Sequence, residues 1–173
     1  MRTRRLFFAL WPDDIQRDAL RSIVEALGPV SAGRPVPTGN LHVTLAFLGA
    51  VAEDRIPSLR NIAAACSCPA ADLVFDRIAW WPRARLRCLE ASTLPGAFVS
   101  FAQAFHEDLR RAGFKIERRP FRAHITVARN VPSAPSDPST LLAPGFVWPV
   151  RGMALVASTP TPDGSAYEVL ERF

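Results

Sequence analysis

Lysine is nearly absent from this chain: of 21 basic residues only Lys115 is a lysine, and the rest are arginines. Arginine's planar fork matches phosphate bidentately, so the bias favours phosphate-bearing partners, although an Arg-, Ala- and Pro-rich chain also follows from base composition alone. Cysteine is scarce. Cys66, Cys68 and Cys88 are odd in number and lack C-x-x-C or Cys/His spacing, which excludes a disulfide framework and a zinc ribbon and points to a reducing cytoplasm. No long hydrophobic run is present. The apolar stretch after Arg2, Arg4 and Arg5 stops at Trp11-Pro12-Asp13-Asp14, too short for a signal peptide or a membrane span, so no membrane association is expected. No glycine-rich loop follows a strand, which argues against a doubly wound nucleotide fold, and no Gly-x-Ser-x-Gly is present for serine-hydrolase chemistry. Histidine occurs three times, at 42, 106 and 124.

The 173 residues suffice for one domain or two small lobes, and 49% hydrophobic with 21% charged residues is the composition of a soluble globular protein. The net charge of +5 and a sequence pI of about 10.0 favour polyanionic partners.

In chain order, Arg5 to Leu10 is a nearly continuous apolar run, the mark of a central strand. Pro12-Asp13-Asp14 opens a helix whose stripe is Leu20, Ile23, Val24 and Leu27, stopped by Gly28-Pro29. Gly33 to Gly39 reads as a proline-interrupted loop. Residues 54–66 form a second helix, with Ile56, Leu59, Ala63 and Cys66 inward. Leu73 to Ala79 and Arg85 to Glu90 are strands joined across Trp80-Trp81-Pro82. Arg83, Arg85 and Arg87 share a face there, either solvated or turned to phosphate. Phe98, Phe101, Ala102, Phe105 and Leu109 give a strong helical stripe over Pro95 to Ala112, with His106 at its boundary. Residues 131–149 carry five prolines and read as a long surface loop. Met153 to Ala157, turn chemistry over Ser158 to Gly164, and Tyr167 to Leu170 make a terminal hairpin.

Two strands in this order repeat one pattern. Leu41-His42-Val43-Thr44-Leu45-Ala46-Phe47 alternates, with Leu41, Val43, Leu45 and Phe47 on one face and His42 and Thr44 together on the other. Ala123-His124-Ile125-Thr126-Val127-Ala128-Arg129 does the same 82 residues later, at the matching point of the second half, which suggests an internal duplication. If the halves face each other, both His-Thr pairs line one cleft. Two imidazoles across a gap serve as general base and general acid, since their ordinary pKa is close to working pH. Each threonine hydroxyl is placed for an oxygen on which negative charge develops. The set suits a phosphorus centre attacked on one side and left on the other. With no carboxylate or cysteine beside them, the two histidines make a poor zinc site, and no metal or other cofactor is expected.

Asn40-Leu41-His42-Val43-Thr44-Leu45 with Phe47-Leu48-Gly49, and Phe121-Arg122-Ala123-His124-Ile125-Thr126-Val127-Ala128-Arg129, resemble the tandem signatures of the 2H phosphoesterase superfamily, and within it the RNA 2′,3′-cyclic phosphodiesterase (2′-5′ RNA ligase) family. The opening Arg-Leu-Phe-Phe-Ala-Leu and the closing Pro-Asp-Gly to Tyr167 also fit, so the likeness covers nearly the whole chain. It implies a bilobal α+β fold over residues 1–173: two antiparallel β-sheets related by a pseudo-twofold, helices outside, and the active cleft between the lobes. It also implies metal-free hydrolysis of RNA 2′,3′-cyclic phosphate ends to 2′-phosphomonoesters, with reverse 2′-5′ ligation at the same site. His124 is then the proton acceptor, His42 the proton donor, and Thr44 and Thr126 hold the phosphate oxygens. Arg129 matches a basic residue of the family, but strict alternation turns it away from His124, which leaves Arg122 as the competing phosphate clamp. Ala46 stands where many relatives carry a larger or basic residue, so the resemblance implies one substrate contact fewer. Phe7 and Phe47 are candidates for base stacking, though apolar strand faces favour core. Rival readings are a phosphodiesterase for 2′,5′-linked oligonucleotides or small cyclic nucleotide-sugar phosphates, and an RNA-end-binding module without turnover. The expected partners are RNA ends or cyclic nucleotides, bound by a monomer.

Overall fold

A computed structural model of the chain describes residues 2–28, 33–133, 139–162 and 164–173. The described residues form nine strands and three helices: β1 (Thr3–Leu10), α1 (Asp14–Ala26), β2 (Arg34–Pro35), β3 (Val43–Ala52), α2 (Ile56–Ala65), β4 (Ala71–Trp81), β5 (Leu86–Glu90), α3 (Gly96–Arg111), β6 (His124–Arg129), β7 (Ser139–Val150), β8 (Ala154–Thr161) and β9 (Gly164–Arg172). A 3-10 turn at Thr38–Asn40 leads into β3. Among the described residues no helix is long and apolar enough to cross a membrane.

The fold is α+β, and all of its strand pairs are antiparallel. The strand order is β7-β4-β5-β6-β3-β1-β8-β9, with β2 on β6. This order divides into two sets of four strands, one set per half of the site. Among the described residues, the expected two sheets are joined into one through the single pair Val43↔Ile125. Those are the middle residues of the two His-x-Thr motifs. Both are fully buried, so the residues flanking them turn to the opposite face. One contact thus brings the motifs together and fixes which way they point.

β1 is central, between β3 and β8, which is why its sequence is apolar without alternation. Leu6, Phe8 and Leu10 enter the main core with Leu20 of α1, Leu59 of α2, and Phe98 and Phe105 of α3. Phe7 and Ala9 face the other way, into a small cluster with Ala154 and Val156, bordered by Trp11, Tyr167 and Val169. The helix ends follow local chemistry. Asp13 accepts from the Gln16 backbone N–H while the Gln16 side chain accepts from the Asp13 N–H, a reciprocal cap on α1. Gly113, at φ 82°, ends α3 as the left-handed residue that closes the helix.

Several readings of the sequence are corrected here. The proline-rich span 131–149 is not one loop, because Ser139–Val150 is strand β7, paired with β4. β7 lies at the sheet edge, where a missing N–H costs no ladder bond, and Pro144 falls within a register shift opposite Phe75 to Arg77. Pro135 and Pro138 lie outside the described residues, as do Pro29 and Asp163 of the expected stops and turns. β8 runs on to Thr161, so most of the expected Ser158–Gly164 turn is strand. Arg83 and Arg85 belong to the β4–β5 turn rather than to β5. His106 is buried rather than at a boundary: its Nε2–H donates to the Leu45 carbonyl at 2.7 Å, tying α3 to β3.

Candidate active site

His42, Thr44, His124 and Thr126 line one cleft of about 590 Å³, together with Arg5, Arg34, Asn40, Phe47, Arg129 and Tyr167. It lies where the halves of the sheet meet, on the face away from Val43 and Ile125. The two histidines are held alike. His42 Nδ1 lies 2.7 Å from the Asn40 carbonyl and His124 Nδ1 lies 2.9 Å from the Arg122 carbonyl, in each case two residues back. A carbonyl only accepts, so Nδ1 carries the proton in both rings. Each Nε2 is then a base when the ring is neutral and an acid when it is charged. The Asn40 side chain donates to the Ser165 carbonyl at 2.8 Å, which anchors the loop before β3 to β9.

The surroundings of the two rings differ. His42 sits among Phe7, Trp11 and Tyr167, with ring centroids 5.0, 5.5 and 5.3 Å away. Burial by these rings excludes water from the charged form. It pulls the His42 pKa from 6.5 to about 4, aided by the nearby Arg129 and His124 and opposed by the Asn40 carbonyl. His124 packs against Trp81 with the rings tilted at 43° and their centroids 4.4 Å apart. Its pKa is also lowered, chiefly by burial, but the Arg122 carbonyl and the Glu90 carboxylate act in the other direction. Glu90 is the cross-strand neighbour of His124 on β5 and is 7% exposed. It pairs with Arg122, whose guanidinium lies over Trp81 at 4.6 Å. Among the described residues, no carboxylate raises the His42 pKa in this way.

The threonines differ as well. Thr44 Oγ1 is 3.0 Å from His42 Nε2 and donates to it when the ring is neutral. Thr126 Oγ1 is 4.0 Å from Cys88 Sγ, its register neighbour. Burial pushes the Cys88 thiol up to about 12, so it stays neutral beside the site.

Two β-bulges decide what else enters the cleft. On β6, Thr126 pairs with Cys88 but Ala128 pairs with the adjacent Arg87, so β6 carries an extra residue. That residue inverts the alternation and turns Arg129 back to the side of His124 and Thr126. On β3, Thr44 pairs with Ala9 but Ala46 pairs with the adjacent Phe8, the same kind of insertion. It carries Phe47 off the face of Leu41, Val43 and Leu45 and into the cleft, 48% exposed. The expectation that Phe47 is core is therefore corrected, whereas Phe7 is buried beneath His42. Phe47 and Arg129 occupy the same place in the two motifs, three residues after the threonine. Arg122 lies outside this cleft, held by Glu90 and Trp81.

Trp11, Trp81, Glu90 and Asn40 were not singled out from sequence as parts of the site. Asn40 and Glu90 act through strand pairing and loop closure, which have no local signature. Trp81 reads as part of the link between two strands, and Trp11 as the end of an apolar run. Among the described residues no group of three or more His, Cys, Asp or Glu side chains is placed to hold a metal ion.

The profile of the family described as LigT like Phosphoesterase matches residues 10–88. The RNA 2′,3′-cyclic phosphodiesterase of Escherichia coli is 32% identical over 175 residues, covering 98% of this chain and 96% of the relative. That of Thermus thermophilus is 32% identical over 178 residues, covering 98% of this chain and 89% of the relative. The crystal structure of Escherichia coli LigT complexed with 3′-AMP superposes with a TM-score of 0.88 at 29% identity, covering 99% of this chain and 98% of that one.

Proposed function

The chain belongs to the LigT-like phosphoesterases of the 2H superfamily, and from that footing we propose that it hydrolyses RNA 2′,3′-cyclic phosphate ends to 2′-phosphomonoesters without a metal. The observation that carries the reading is the pair of Nδ1–H-anchored histidines turned into one cleft with two threonines and Arg129. The names of the curated relatives support the substrate class.

In this mechanism the cyclic phosphodiester anion enters between the two imidazoles. Neutral His124 takes a proton through Nε2 from a water, whose oxygen attacks phosphorus. The P–O3′ bond breaks on the far side, and His42 Nε2–H protonates the leaving 3′-oxygen. Thr44, Thr126 and Arg129 meet the non-bridging oxygens as charge builds on them. Arg122 plays no direct part: it supplies the carbonyl that orients His124 and the guanidinium that covers Trp81. Burial keeps His42 neutral in the free enzyme, so the acid forms as the substrate's negative charge raises its pKa. With a 5′-hydroxyl in the place of the water, the same groups form a P–O5′ bond and break the same P–O3′ bond, giving a 2′-5′ link.

The same reading has the whole chain acting as one monomeric unit, because each half of the chain supplies one histidine and one threonine. Free Cys66, Cys68 and Cys88 fit a reducing cytoplasm. The test is turnover of a cyclic-phosphate-ended RNA with EDTA present. Activity is expected to persist, and His42→Ala and His124→Ala are each expected to lose about 10²–10⁴-fold while remaining folded. Loss of activity on chelation, or near-wild-type rates in either variant, overturns the mechanism.

A further inference from the structure

A second groove of about 730 Å³ opens beside the catalytic cleft and shares Thr44, Phe47 and His124 with it. Its walls are the end of β4, the β4–β5 turn and the segment leading into β6. Four arginines line it: Arg77, Arg83, Arg119 and Arg122. It contains two carboxylates, and both are already engaged, Glu117 with Arg119 and Glu90 with Arg122. Among the described residues no salt bridge engages Arg77 or Arg83. The groove therefore carries surplus positive charge. An exposed aromatic, Phe47, stands where it joins the cleft, with Arg5 over its ring at 4.9 Å.

We propose that this groove is the path of a single RNA strand, holding the nucleotides on the 5′ side of the cyclic-phosphate end. The inference rests on the hydrolase reading above and adds chain-length selectivity to it. Cationic grooves with aromatic platforms bind single strands because every nucleotide offers a phosphate and a π-face. Here the terminal phosphate sits between His42 and His124. Phe47 stacks a base at the doorway, and Arg77 and Arg83 meet backbone phosphates beyond it. A mononucleotide fills the catalytic cleft and reaches neither arginine.

The test compares adenosine 2′,3′-cyclic phosphate with a cyclic-phosphate-ended pentanucleotide, using wild type and the double variant Arg77→Ala/Arg83→Ala. Both arginines are exposed on the surface, so the variant is expected to fold. The expected result is a fall of about tenfold or more in kcat/KM on the pentanucleotide at low salt, with the mononucleotide rate unchanged. The slope of log affinity against log salt is expected to flatten by about 1.4, two single-strand phosphate contacts at about 0.7 each. An unchanged ratio of the two substrates overturns the proposal. If wild type turns over neither substrate, the hydrolase reading fails, and the groove is judged on binding alone by anisotropy of a fluorescein-labelled pentanucleotide. Weaker binding by the double variant then sustains the strand path. Equal affinity refutes it and leaves the groove to another class of partner.

Discussion

Protonating His42 should destabilise the protein and separate two pH optima. The ring is walled by Phe7, Trp11 and Tyr167, and its pKa falls from 6.5 to about 4. The folded state then binds fewer protons than the unfolded chain between those values. Stability is fully present above pH 6.5 and is lost as pH falls towards 4. A shift of this size corresponds to about 3 kcal/mol. Urea unfolding across pH 4 to 8 measures it. His42→Gln should flatten the part of the profile that His42 contributes, and the remaining slope belongs to His124, the carboxylates and other groups. The kinetic consequence follows from the same shift. The proposed mechanism reacts from the form with His42 charged and His124 neutral, and burial lowers the pKa of both. In the free enzyme the optimum of kcat/KM therefore lies below pH 6.5. The bound phosphate anion raises the His42 pKa, so the optimum of kcat lies higher. An NMR titration of His42 centred near 6.5, or coincident optima at or above pH 7, would refute the reasoning.

The two arginines weighed for the phosphate clamp should separate cleanly. Arg129→Ala is expected to weaken binding of inorganic phosphate and raise KM. Arg122→Ala should chiefly lower stability, by about 1–3 kcal/mol, because the Glu90 carboxylate loses its partner in a buried position. Isothermal titration with phosphate and thermal melts of both variants check this. Phe8→Ala empties a fully buried position packed edge-on against Phe105. It should cost about 3–5 kcal/mol in denaturant unfolding.

The motifs were legible because both carry their chemistry on a period of two. A histidine and a threonine flanking a β-branched residue declare a face without any tertiary information. The helices were legible for the same kind of reason, from the stripe Phe98, Ala102, Phe105 and Leu109 and from the Pro12-Asp13-Asp14 opening. The strand β7 was hidden because its prolines signal loop, and only its place at the sheet edge makes them compatible with pairing. Strict alternation continued past the threonines sends Phe47 to the core and turns Arg129 away from His124, and the structure departs from it at both places. A bulge follows each motif, and one added residue reverses the face of everything beyond it. Bulges depend on register with a partner strand, Ala9-Phe8 in one case and Cys88-Arg87 in the other, so the local sequence does not announce them. The expectation from resemblance that the chain is a 2H phosphoesterase holds, and the fold is the α+β antiparallel arrangement it implied, with its halves meeting at one buried pair.

The central claim concerns which P–O bond breaks between the two histidines. Wild-type protein in EDTA is given a 2′,3′-cyclic-phosphate-ended dinucleotide, and the product is resolved by phosphorus NMR against authentic 2′- and 3′-phosphates. In-line attack with His42 protonating the 3′-oxygen predicts the 2′-phosphate alone. A 3′-phosphate, a mixture of the two, or unreacted cyclic phosphate would contradict it.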